Sequence, residues 1–99
     1  MLNIPADGVK IGYDGKRLTV PDNPIIPYII GDGIGIDVTP VMKRVLDYAV
    51  NKAYGNKREI KWLELYAGSN SNDMYGAILP EETLDAMKEY RISIKGPLT

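Results

Sequence analysis

The sequence contains no cysteine and no histidine, and these two absences remove much of the usual catalytic chemistry. Without cysteine there is no disulfide framework, no thiol nucleophile and no cysteine-ligated zinc site. Without histidine, the commonest metal ligand and proton shuttle is also missing. The groups that remain for catalysis are Asp, Glu, Lys, Tyr, Ser and Thr, none of which titrates near neutral pH unless its surroundings shift its pKa.

An excess of charge of either sign is also lacking. Twelve Lys and Arg stand against thirteen Asp and Glu, and the net charge of −1 is not the basic balance that binding to a phosphate backbone requires. No apolar run approaches membrane-spanning length, and residues 1–7 show no targeting pattern. We therefore expect a soluble, cytoplasmic chain with neither a nucleic-acid nor a membrane partner.

What is present fits one ordinary globular core. The 99 residues are 44% apolar and 25% charged, as in typical soluble domains, so disorder, collagen and coiled coil are excluded for the chain as a whole. Near the amino terminus, two short stretches with strand character flank Asp14-Gly15-Lys16, and Asp-Gly is a strong hairpin signal. Three prolines at 21, 24 and 27 then favour extended backbone. We predict that residues 1–23 form a hairpin and an extended lead-in.

Residues 24–99 alternate between strand and helix patterns. Apolar runs predict buried strands over 25–30, 59–66 and 91–95. A long helix is predicted to follow residues 31–35 and to stop at Gly55, with Pro40 in or near its first turn, and a second helix to open at Pro80. Residues 67–76 are expected to form a polar loop. The order strand, helix, strand, helix, strand predicts a parallel three-stranded sheet of the α/β class.

The helix periodicities also predict which side chains face the sheet. The inward face of the first helix is predicted to hold its apolar residues at spacings of three, four and seven: Val38, Val41, Met42, Val45, Ala49 and Ala53. Its outward face is predicted to carry Lys43, Arg44, Asp47, Asn51 and Lys52. The second helix is predicted to turn Leu84 and Met87 inward.

Parallel strands bring residues 31–35 and 96–99 to one rim, at the carboxyl ends of the strands, where open α/β sheets bind ligands. The helix that starts there favours an anion such as a phosphate or carboxylate. However, the glycines are spaced Gly-x-Gly-x-Gly, whereas the dinucleotide fingerprint is Gly-x-Gly-x-x-Gly, and no acid follows the second strand, so an ordinary Rossmann site is rejected. Spacing alone favours a plain strand-to-helix turn, with Asp32 as a local cap, Lys95 as a solvated edge residue and Thr99 as a loop hydroxyl.

The residues themselves resemble a specific family. Val20-Pro21-Asp22-Asn23-Pro24-Ile25-Ile26-Pro27-Tyr28-Ile29, then Gly31-Asp32-Gly33-Ile34-Gly35 and Asp37-Val38-Thr39-Pro40, resemble the amino-terminal stretch of prokaryotic NADP-dependent isocitrate dehydrogenases. Ile94-Lys95-Gly96-Pro97-Leu98-Thr99 resembles the next motif of that family. Isopropylmalate dehydrogenases share the glycine motif but lack the second motif, so they are the second most similar family. Ile30 is a departure, because the relatives carry an acid at that position.

The resemblance implies a parallel-sheet dehydrogenase fold of the isocitrate/isopropylmalate dehydrogenase type, unrelated to Rossmann, with an amino-terminal β-hairpin. It further implies that Ile34 lies against the nicotinamide, and that Lys95, Leu98 and Thr99 line the pocket where nicotinamide meets substrate. The Thr99 hydroxyl is expected to hydrogen-bond the cofactor, and Lys95 to supply a cation near the substrate carboxylates or the cofactor phosphates.

For the complete enzyme, the resemblance implies oxidative decarboxylation of isocitrate to 2-oxoglutarate with NADP and Mg²⁺ or Mn²⁺, by a homodimer of the tricarboxylic acid cycle. The catalytic residues and the metal ligands of the family lie downstream of Thr99, so the chain is expected to be an inactive amino-terminal portion. Two alternatives stay open: a dehydrogenase for isopropylmalate or another 3-hydroxy acid, and a short nucleotide-binding module without catalysis.

Overall fold

The computed structural model describes residues 2–98, apart from the side chains of residues 69, 70 and 75. Along the chain the elements are β1 (Gly12–Tyr13), β2 (Leu18–Thr19), β3 (Ile25–Ile29), α1 (Gly35–Tyr54), a 3₁₀ turn (Gly55–Lys57), β4 (Lys61–Leu65), α2 (Ser69–Tyr75), α3 (Glu81–Tyr90) and β5 (Ile94–Lys95). No helix in this part of the chain is both long enough and apolar enough to span a membrane.

Strands β1 and β2 form the expected amino-terminal hairpin. They pair antiparallel, with Gly12 opposite Thr19. The Asp14 carboxylate accepts hydrogen bonds from the backbone N–H groups of Lys16 at 2.9 Å and Arg17 at 2.8 Å, which closes the turn. The hairpin prediction is confirmed.

A parallel three-stranded sheet in the order β4-β3-β5 follows, as the sequence predicts. Its register places Ile29 opposite both Leu65 on β4 and Lys95 on β5. The central strand β3 is the most apolar, because both of its edges and both of its faces are covered. The core consists of side chains from β3, β4, the connection after β4 and α3: Ile25, Ile29, Leu63, Leu65, Ala67, Ala86 and Tyr90.

The predicted faces of α1 are largely wrong. Val38, Val41 and Val45 are 53%, 56% and 59% exposed. The supposedly outward Lys43 lies with its ammonium 4.4 Å from the centre of the Tyr28 ring, and Asp47 accepts a hydrogen bond from the Trp62 indole. Periodicity identifies the apolar face of a helix but not the surface against which the helix packs. Here the polar face of α1 packs against the sheet, where its charged side chains interact with Tyr28 and Trp62.

Pro40 is the sixth residue of α1, next to its first turn, as predicted. The conformation of residues 67–76 differs from expectation. Residues 67–76 are not a loop, because α2 occupies most of them between Gly68 and a left-handed Gly76. A polar helix of two turns carries too few apolar residues to show a periodicity.

Helix α3 is confirmed, but its buried face is only partly as predicted. Met87 packs against the core, whereas Leu84 is 40% exposed. The buried residues are Thr83, Ala86 and Tyr90. Thr83 escapes a pattern search because it is polar, yet its hydroxyl donates to the Tyr66 carbonyl oxygen at 2.6 Å, which satisfies it inside the core.

Candidate functional site

The glycine turn (residues 31–35) follows β3, and the Gly-Pro-Leu segment (residues 96–98) follows β5. The Gly96 N–H donates to the Ile29 carbonyl oxygen at 2.7 Å, and the Asp32 N–H donates to the Pro97 carbonyl oxygen at 2.6 Å. These two bonds continue the β3–β5 ladder beyond the strands. The prediction that both segments share one rim is confirmed.

Glycine is required where the two segments touch. Gly31 has φ +82°, and a Cβ there would overlap the Pro97 carbonyl oxygen. A Cβ on Gly35 or on Gly96 would overlap the Ile30 carbonyl oxygen. The prediction that these glycines form a tight strand-to-helix turn is therefore confirmed. The backbone of this turn also packs closely against the segment that follows β5.

A third connection reaches the same point through Asp32. Its side chain is buried, at 9% exposure. Both carboxylate oxygens lie 2.7 Å from where a Cβ on Gly68 would be, and Gly68 has φ +88° in the connection after β4. The Asp32 carbonyl also accepts a hydrogen bond from the Gly35 N–H at 3.1 Å, so its backbone stabilises the turn that leads into α1. Its side chain in addition reaches the connection after β4.

Sequence reasoning missed this role of Asp32 and the pairing with Gly68. The two residues are far apart in the chain, and a single glycine before a polar stretch is ordinary in loops. The one usable signal was an acid between two glycines at a strand end, where a short carboxylate side chain can tuck against neighbouring backbone.

Three of the four residues predicted for the site lie on this rim. Ile34 is 69% exposed immediately before α1, and Leu98 is 38% exposed beyond β5. Lys95, the last residue of β5, is also exposed, and its ammonium donates to the Gly96 carbonyl oxygen at 2.9 Å. Thr99 lies outside the described residues. The rim thus presents two apolar side chains and one cation, on β5 and on the segments that follow β3 and β5.

A cleft of about 500 Å³ opens on the other side of the glycine turn, towards β4. It is lined partly by three acids, Asp32, Glu64 and Asp73, and by none of the residues predicted for the site. Among residues 2–98, as far as they are described, no group of three or more acids is arranged to hold a metal ion.

The resolved pKa shifts belong to groups away from the rim. The Lys61 ammonium, at the amino end of β4, lowers the pKa of Asp7, and the hydrogen bond to Asp7 raises the pKa of Lys61. Burial raises the pKa of Tyr90 on α3. These groups stabilise the fold rather than offering a proton at the candidate site.

Comparison with known protein families matches residues 25–99 to isocitrate/isopropylmalate dehydrogenase. The chain is 55% identical over 99% of its length to an isocitrate dehydrogenase [NADP] of Coxiella burnetii, and 58% identical over 97% to isocitrate dehydrogenase [NADP] 1 of Colwellia maris. It is 52% identical over 96% to an isocitrate dehydrogenase [NADP] of Archaeoglobus fulgidus. It spans 23%, 24% and 22% of the lengths of these three relatives.

Proposed function

Because this chain belongs to the isocitrate/isopropylmalate dehydrogenase family, we propose that it forms part of an NADP-dependent isocitrate dehydrogenase. The observation that carries the proposal is the rim itself. The two motifs that resemble the family meet there through the Asp32 to Pro97 hydrogen bond, and Ile34, Leu98 and Lys95 in these motifs are each exposed. The three relatives named above support NADP and isocitrate by their names.

The whole protein, in this proposal, oxidises the alcohol of isocitrate by hydride transfer to NADP, after which the β-carboxylate leaves as carbon dioxide and 2-oxoglutarate remains. A Mg²⁺ or Mn²⁺ ion supplies Lewis-acid chemistry when bound. Because no group of three acids in the described residues is arranged to hold a metal ion, we assign no residue of this chain to it.

NADP fits the residues at the rim. A nicotinamide ring is flat and largely apolar, and Ile34 and Leu98 offer exposed aliphatic surface at 69% and 38% exposure. Packing a ring against these side chains removes apolar area from water and keeps water away from the reacting face. The chain thereby orients the ring, while the cofactor carries the hydride chemistry.

Lys95 contributes charge to the same wall. Its ammonium is exposed and bonded only to the carbonyl oxygen of the next residue among the contacts described, so it can turn towards an incoming anion. A substrate carboxylate and a cofactor phosphate both carry the required charge. Thr99, next in sequence to Leu98, is proposed to donate or accept one hydrogen bond to the cofactor.

A second candidate is a dehydrogenase for isopropylmalate or another 3-hydroxy acid, because the matching family includes isopropylmalate dehydrogenases. A non-catalytic nucleotide-binding module is the third. With the isocitrate dehydrogenase function we also propose a cytoplasmic homodimer, and a division of this chain into a hairpin with lead-in over 1–23 and a sheet unit over 24–99.

The test is an assay of the protein encoded by the uninterrupted open reading frame that contains these residues. Formation of NADPH from NADP is followed with isocitrate and with isopropylmalate in the presence of Mg²⁺, and formation of NADH from NAD is followed in parallel. We expect turnover of isocitrate with NADP. Preference for isopropylmalate would transfer the proposal to the second candidate, and NADP binding without turnover of either acid would favour the third.

A further inference from the structure

We propose that Asp32 is a positioning residue of the nicotinamide wall, which holds the connections after β3, β4 and β5 in one arrangement. The inference rests on the proposed function and deepens it by naming the residue on which the alignment of Ile34 and Leu98 depends. Asp32 belongs to the connection after β3 and contacts both of the other connections, at Pro97 and at Gly68.

The first contact is made by the backbone. The Asp32 N–H bonds to the Pro97 carbonyl oxygen at 2.6 Å, two residues after Lys95 and next to Leu98. The Asp32 carbonyl accepts from the Gly35 N–H at 3.1 Å, which closes the turn that carries Ile34. These two bonds join the turn that carries Ile34 to the segment that carries Leu98.

The second contact is made by the side chain. The buried carboxylate lies so close to Gly68 that both of its oxygens would be 2.7 Å from a Cβ there. Gly68 is the residue before α2, so the carboxylate packs against the backbone that leads into that helix. The connection after β4 is thereby packed against the turn from the side opposite Pro97.

These contacts mean that Asp32 affects ligand binding indirectly, through the position of the segments that it contacts. Removing the carboxylate leaves a gap between residues 32 and 68, into which the turn can relax. Ile34 then moves relative to Leu98, and a displacement of about 1 Å at a binding wall is enough to lower turnover substantially. Asp32 itself touches neither cofactor nor substrate in this proposal.

The test is a double-mutant cycle in the full-length enzyme, with Asp32→Ala, Gly68→Ala and the double variant. We expect Asp32→Ala to raise the KM for NADP about tenfold or more and to alter the fluorescence of bound NADPH. Gly68→Ala should have a large effect when Asp32 is present, because the new methyl group displaces the carboxylate. It should have a small additional effect in the Asp32→Ala background, where no carboxylate is displaced.

Two features keep the cycle interpretable. The strain of a methyl group at the positive φ of Gly68 is the same in both backgrounds and cancels. Asp37→Ala removes an exposed carboxylate from the first turn of α1 and serves as the charge control, with a KM for NADP close to that of the unmodified enzyme. Asp32→Ser takes the place of Asp32→Ala if the alanine variant does not fold.

The proposal is overturned if Gly68→Ala raises the KM for NADP by the same factor in both backgrounds, or if folded Asp32→Ala matches the unmodified enzyme. Either result leaves the dehydrogenase function intact, because the unmodified enzyme is assayed alongside. An unmodified enzyme that neither binds NADPH nor oxidises isocitrate would instead remove the proposed function, and the positioning role with it.

Discussion

The indole N–H of Trp62 on β4 donates to the Asp47 carboxylate on α1 at 2.9 Å. Trp62 also packs edge-on against Tyr28, whose ring centre is 5.8 Å away, and Lys43 lies over the Tyr28 ring. A polar and aromatic layer therefore joins α1 to the sheet, in place of the aliphatic layer that the periodicity predicts.

Asp47→Ala removes the acceptor of the indole N–H. Because this bond is partly open to solvent, we expect a modest loss of about 0.5–1 kcal/mol in the free energy of unfolding. Trp62 is the single tryptophan in these 99 residues, so its emission should shift as the indole loses its partner. Lys52→Ala, on the same helix, is the control, and an equal loss in both variants would contradict the role of the bond.

Gly31→Ala should destabilise the full-length protein more than Gly33→Ala. Both glycines have positive φ, at +82° and +59°, so both variants bear the cost of that conformation, about 1 kcal/mol or more. Only at residue 31 does the new methyl group also meet the Pro97 carbonyl oxygen, whereas Gly33 has open space. Denaturant unfolding measures the difference, and equal losses would show that the two segments are not in close contact.

Lys95→Met and Thr99→Ala test the proposed nicotinamide wall by steady-state kinetics. Thr99→Ala should lose about 0.5–1.5 kcal/mol of transition-state stabilisation, the range of a neutral hydrogen bond. Lys95→Met should cost more, because a charge facing an anion is removed. Values of kcat/KM equal to those of the unmodified enzyme would remove both residues from the site.

Tyr90 gives the fold a specific sensitivity to alkaline pH. Burial raises the pKa of its phenol above the ordinary value of 10.0, so the neutral form is favoured in the folded state. The stabilisation is fully present below the unfolded pKa and is lost as the pH rises through the folded one. When the pH is raised from about 9 to about 11, the free energy of unfolding should therefore fall less for Tyr90→Phe than for the unmodified protein. Tyr48→Phe, which alters a tyrosine with 68% exposure, should leave the alkaline loss unchanged.

Residues 1–99 expressed alone are expected to be catalytically inactive and to bind hydrophobic dyes. Val41 and Val45 on α1 are more than half exposed and line an aliphatic groove. Replacing both with serine should reduce dye binding, whereas Lys52→Ser, at an exposed position nearer the end of α1, should change it little. The expectation would be contradicted by a monomer that melts cooperatively and binds no dye. Oxidation of isocitrate with NADP by residues 1–99 alone would contradict it more strongly.

The sequence predicted the hairpin, the three parallel strands and the shared rim because each has a local signal. Asp14-Gly15 marks a turn, apolar runs mark buried strands, and strand direction follows from the alternation with helices. The buried face of α1 was mispredicted because an apolar stripe does not identify its partner. The Asp32–Gly68 contact has no local signal, since its geometry exists only after β3 and β4 are aligned.

The central position of β3 also affects how the protein is made. Its neighbours β4 and β5 both come later in the chain, so β3 leaves the ribosome with neither partner available. At about 5–20 residues per second, the roughly 65 residues between Ile29 and Lys95 take several seconds to synthesise. Both edges of the most apolar strand of the sheet lack a partner strand until β4 has been synthesised, and the edge that β5 covers lacks one through the whole interval. Residues 25–29 are consequently the segment of this chain where a chaperone that binds extended apolar peptides would act during translation.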